Sequence, residues 1–66
     1  MGVVKVIELV GTSRHNWTEA VDSAVAEASK TLDDIVGVEV TNFTANIDNG
    51  RVAEYKADVR IAFHVH

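Results

Sequence analysis

Neither cysteine nor proline occurs in the 66 residues, and basic residues are few, six Lys or Arg against ten Asp or Glu. Without cysteine there is no disulfide framework, no thiolate nucleophile and no Cys-based zinc site. No proline-rich linker, internal repeat or low-complexity tract divides the chain, so residues 1–66 read as one domain. The net charge of −4, with the basic residues scattered, excludes the gathered positive surface that nucleic acid requires. Nor is there a long hydrophobic run. The segment Val3-Val4-Lys5-Val6-Ile7-Glu8-Leu9-Val10 is interrupted by charge and too short to span a membrane. No small-residue cleavage signal follows it, and the expected location is the cytoplasm.

What is present is aliphatic. Twelve Val, four Ile and two Leu stand beside eight Ala, a proportion that favours sheet with one closely packed helix. A domain of this length buries only about 60% of its unfolded surface. With disulfides excluded, partner subunits are the expected source of further stability.

The β-branched run from Val3 to Val10 reads as a first strand, closed by a turn at Gly11-Thr12-Ser13. Asn16 with Glu19 three residues on is a capping-box variant, which predicts a helix from about Trp17. Trp17, Ala20, Val21, Ala24, Val25, Ala28 and Leu32 recur at spacings of three and four and form one stripe, with Glu19, Asp22, Ser23, Glu27 and Lys30 opposite. The small residues in that stripe allow a sheet to come close. Asp33-Asp34 and Gly37 are expected to end the helix, and a second strand runs from about Val36 to Ile47.

Asn49-Gly50 between two extended runs predicts a two-residue type I′ hairpin. In a register without bulges, Glu39 faces Arg60, Val40 faces Val59, Val38 faces Ile61, Val36 faces Phe63, Phe43 faces Lys56 and Ile47 faces Val52. Val36, Val38, Val40, Val59, Ile61 and Phe63 then seat the helix. Phe43, Ile47 and Val52 fall on the other face, exposed in a monomer, which argues for subunit contacts. The fold class is α+β, strand-helix-strand-strand, an antiparallel sheet wrapped on one helix.

No nucleophile elbow, phosphate-binding glycine loop or helix-loop-helix calcium loop is present, so the chain is not expected to be an enzyme. Asp33-Asp34 has the composition of a solvated turn. His64 and His66, two apart on a strand, share a face and come within reach of one metal, yet two ligands at a terminus leave coordination incomplete without symmetry-related copies. No metal set is therefore assigned. His15 reads as a surface residue and Trp17 as a core or interface residue. The sequons at Asn16-Trp17-Thr18 and Asn42-Phe43-Thr44 are read as chance matches.

The order Lys5-Val6-Ile7-Glu8-Leu9-Val10-Gly11-Thr12-Ser13, then Ala28-Ser29-Lys30-Thr31-Leu32, then Val38-Glu39-Val40, then Glu54-Tyr55 through Ala62-Phe63 resembles the dodecins over nearly the whole chain. The resemblance implies a β-α-β-β subunit assembling into a hollow homododecamer that binds flavin, riboflavin or FMN, for storage or sequestration. A calcium-binding branch of the family implies an alternative, a cage for calcium or another divalent cation, or a ligand-free structural cage. In the family a Trp that stacks on the flavin ring precedes the strand run, and Gly37 holds that position here. A Gln that pairs with the polar edge of the ring follows the Tyr of the last strand, where this chain has Lys56. The resemblance thus makes Gly37 and Lys56 the cofactor-site positions, but glycine has no stacking face and lysine has donors only. Weak flavin binding is the expectation.

Overall fold

The computed structural model describes residues 2–66. Strand β1 spans Val3–Ser13, helix α1 Trp17–Ser29, β2 Ile35–Asp48 and β3 Arg51–Val65. The three strands form one antiparallel sheet in the order β1-β3-β2, so the last strand is the central one. Helix α1 lies on one face, chiefly against β1 and β3.

The elements start and stop for local reasons. Asn16 is the N-cap, its Oδ1 accepting from the Glu19 amide at 2.7 Å, as the capping pair predicted. Ahead of it, the half-turn from β1 is tied by the buried Ser13, whose Oγ accepts from the amides of His15 and Asn16. The helix ends earlier than expected, at Ser29 with Lys30 as its cap. Asp34, at φ 56°, then turns the chain into β2. Asn49 and Gly50 both have positive φ, 52° and 73°, as a type I′ turn demands.

Gly11 is not a turn residue. It lies inside β1, paired with Ala57, because β1 runs on to Ser13. A Cβ at this position would overlap the carbonyl oxygen of Ala20 and stand 2.9 Å from its carbonyl carbon and 3.0 Å from the Ala24 Cβ. The glycine is there for close approach of helix to strand. Ala20, Ala24 and Ala28 meet Ala57, Val59 and Ile61 at this seam, with Ile7, Leu9, Val21, Val25, Leu32, Ile35 and Val40 partly covered around it. Val59 and Ile61 are the largest fully buried side chains, so the core of the single chain is small.

The hairpin register agrees with the sequence at Val38–Ile61, Glu39–Arg60, Val40–Val59 and Ile47–Val52. It differs between them. A bulge between Val40 and Asn42 shifts the pairing by one, and a second at Asn46 and Ile47 shifts it back. Phe43 therefore pairs with Ala57 rather than Lys56, and Lys56 pairs with Thr44. Since Ala57 belongs to the core, Phe43 sits on the helix side of the sheet, not the far side, and strand alternation carries Ile47 and its partner Val52 to that same side. At the bulge the Thr41 hydroxyl donates to the Asp58 carbonyl, which restores a bond across the interrupted ladder. A third irregularity pairs Phe63 with Ile35 instead of Val36, which is left 54% exposed. Val38 shares the face of Ile61 but lies beyond the helix and is also exposed. Among the described residues no helix is long and apolar enough to cross a membrane.

Gly11→Ala is expected to cost about 3 kcal/mol, the upper range for inserting a methyl group against backbone that cannot move away. Urea unfolding of the variant beside the parent protein measures it. A loss below about 0.5 kcal/mol would mean that helix and strand can separate freely at this seam.

Candidate ligand-binding face

The face of the sheet opposite the helix carries the even-numbered residues of the central strand: Lys56, Asp58, Arg60, Ala62 and His64. The first four are flanked by partners from both edge strands. Lys56 lies between Thr12 and Thr44, Asp58 between Val10 and Asn42, Arg60 between Glu8 and Glu39, and Ala62 between Val6 and Gly37. Charge thus alternates along β3, and Arg60 has an acid on either side.

An open depression of 410 Å³ is centred on the last of these rows, lined by Val6, Gly37, Val38, Glu39, Arg60 and Ala62. Its cause is a shortage of side-chain volume: Gly37 has none, Ala62 has one methyl, and no atom lies within 4 Å of where a Gly37 Cβ would be. Arg60 borders it with Nη1 3.8 Å from Glu39 Oε1, both side chains substantially exposed. That separation exceeds normal hydrogen-bond length, so donor and acceptor both keep unused capacity. A second hollow of 300 Å³ follows on the same sheet, lined by Glu8, Leu9, Val10, Thr41, Asp58 and Val59.

Gly37 and Lys56 share this face but not one site. Six residues of β3 separate Lys56 from Ala62, the partner of Gly37, which at about 3.3 Å per residue is roughly 20 Å. A ligand touching both positions would have to bridge two subunits. At neither position do the residues fit a flavin in the manner the resemblance implies: Gly37 opens space where a ring should stack, and Lys56 supplies no acceptor for an imide N–H.

Trp17 does not replace the missing indole. Its Nε1 donates to the Thr44 carbonyl at 2.9 Å, and its ring meets Tyr55 edge-on at 4.8 Å and Phe43 at 6.1 Å. All of this lies on the helix side, where the ring pins the start of α1 to the hairpin. The Phe43 bulge shift is what completes the cluster.

The histidines also go elsewhere. His64 pairs with Val4 and donates its amide to the Asp34 carbonyl, while His66, past the end of β3, places Nε2 against Asp34 Oδ2. The two fasten the C-terminal strand to the turn before β2. Among the described residues no group of three His, Cys, Asp or Glu side chains could hold a metal ion. His15 is exposed, as expected. The sequence reading paired Glu39 with Arg60 but did not place them at a site. The signal was available: an acid and a base facing each other, two strand positions from a glycine that removes a side chain from the same face.

Residues 3–66 match the model of the Dodecin family. The chain is 35% identical over 63 residues to the dodecin of Thermus thermophilus, with 96% of this chain and 91% of that protein covered. It is 32% identical over 63 residues to the calcium dodecin of Mycobacterium tuberculosis, covering 96% and 89%. The solved dodecin structure from Streptomyces coelicolor superposes with a TM-score of 0.96 at 34% identity, covering 98% of this chain and 93% of that one.

Trp17→Phe keeps the edge-on aromatic contacts and removes the bond to Thr44. The expected cost is about 1 kcal/mol in urea unfolding, the usual worth of one partly exposed hydrogen bond. A loss of 3 kcal/mol or more would show that packing of the larger indole, not the bond, holds the hairpin to the helix.

Proposed function

The chain belongs to the dodecin family, and from that premise we propose that it is a non-enzymatic, small-molecule-binding cage, a hollow homododecamer in the cytoplasm that binds flavin weakly. The observation that carries this reading is the depression at Gly37. It lies at the position where the resemblance puts the family's stacking ring, and its floor is apolar, Val6 and Ala62, with the polar side chains of Glu39 and Arg60 at its border. Its volume falls within the usual range for ligand sites.

Assembly is supported by what a single chain leaves uncovered. Val36, Val38, Phe43, Ile47 and Val52 all lie along the hairpin with two-fifths or more of their surface in water, and Ile47 reaches 63%. The roughly 20 Å between the Gly37 and Lys56 rows adds a second argument, because one ligand meets both positions only across a subunit boundary. When bound, a flavin would supply an electron-accepting ring that the cage holds without turning it over. The part played by this chain is to shelter that ring against an apolar floor.

A second reading, a calcium cage, is favoured by the similarity to the Mycobacterium tuberculosis calcium dodecin. Carboxylates such as Asp33, Asp34, Glu39 and Asp58 would have to supply the ligands. Asp34 already meets His66 and Glu39 faces Arg60, so six to eight oxygens would require neighbouring subunits. Calorimetric titration with calcium separates this reading from the first.

Light scattering is expected to give twelve times the 7.2 kDa chain mass. A stable monomer at micromolar concentration would overturn the assembly. In riboflavin fluorescence titrations, Gly37→Trp should strengthen binding about five- to 150-fold, the range that corresponds to roughly 1–3 kcal/mol for one stacked ring. Lys56→Gln should add an acceptor beside a donor, and the double variant should exceed the combined single gains because a stacked ring presents its edge in fixed geometry. Nanomolar binding by the unmodified protein would refute the weak-binding reading.

A further inference from the structure

We infer that Glu39 and Arg60 form the polar-edge recognition pair of this site, reading an uncharged planar heteroaromatic ring whose imide N–H is donated to Glu39 while an adjacent carbonyl accepts from Arg60. The inference rests on the small-molecule reading above and names the residues and ligand chemistry that it leaves open. Three observations carry it.

The first is position. Both side chains border the Gly37 depression, whereas Lys56 lies about 20 Å along the strand. The second is complementarity. A ring imide needs an acceptor beside a donor; Lys56 has donors only, while the carboxylate of Glu39 accepts and the guanidinium of Arg60 donates from up to five N–H groups. The third is availability. At 3.8 Å the two are neighbours without a tight bond, and their side chains are 68% and 48% exposed, so both can turn to a ligand without breaking a buried pair.

The apolar floor of Val6 and Ala62 with the flat backbone at Gly37 suits a planar ring body. The surrounding charge selects against phosphate. Glu8 flanks Arg60 from β1 as Glu39 does from β2, so two carboxylates outweigh one guanidinium at this row.

The test compares lumiflavin, which keeps the imide N–H, with 3-methyllumiflavin, which has lost it, by fluorescence titration of the intact assembly. The parent protein is expected to prefer lumiflavin about tenfold. Glu39→Ala should abolish the preference, because no acceptor remains to distinguish the two probes, and Arg60→Met should weaken both about tenfold while retaining the preference. Glu8→Ala should leave the preference intact. A merely structural role for Glu39 would lower both affinities together and preserve their ratio, and that result overturns the inference, as does loss of the preference in Glu8→Ala to the same extent. Failure of both probes to bind the parent protein and its Gly37→Trp variant would instead overturn the small-molecule reading itself.

Discussion

Helix α1 can seat on the sheet only because Gly11 has no side chain. The Ala20 carbonyl occupies the space a Cβ would need, and Ala24 and Ala28 continue the same close seam against Ala57, Val59 and Ile61. Close approach yields dense packing but little volume. A helix that rests mainly on β1 and β3 through alanines covers Val40 of β2 only in part and leaves Val36 and Val38 exposed. One backbone approach thus sets both the small core and the need for partners. It also leaves the opposite face of the sheet free of any covering element, where the candidate site is built.

The bulges redistribute what the hairpin presents. A hairpin in unbroken register would set Phe43 beside Lys56 on the open face; a single extra residue before Asn42 moves its ring to the helix side, into contact with Trp17. The aromatic cluster then fastens the start of the helix to the arm by the Trp17–Thr44 bond. The same shift sets Lys56 between two threonines. Because the second bulge restores the register, the turn at Asn49-Gly50 and the base of the sheet keep the pairing that turn chemistry prescribes.

At the depression beside Ala62 two features act together. Gly37, which has no side chain, opens the hollow. An acid and a base stand beside that hollow in loose contact. Such an exposed ion pair adds little to stability, about 0–1 kcal/mol. Its chemical capacity is therefore largely unspent, in contrast to Asp34, whose carboxylate and carbonyl are both engaged by the C-terminal histidines.

Local chemistry was legible in the residues. Asn16 with Glu19 marked the helix start, Asn49-Gly50 the hairpin, and the alanine-rich stripe the buried helix face. Each depends on neighbours within a few positions or on a fixed motif order, and such signals survive without knowledge of the fold. Tertiary structure decided the rest. That β3 is the central strand, that Gly11 serves a helix crossing and not a turn, that Phe43 changes face, and that Glu39 and Arg60 border a hollow all depend on contacts between distant segments. A bulge illustrates the physical reason: it adds one residue to one strand at small local cost, inverts the facing of the residues beyond it on that strand, and is selected by how side chains such as Phe43 pack against a helix far away in sequence. Alternation read along a strand carries no record of where it is interrupted.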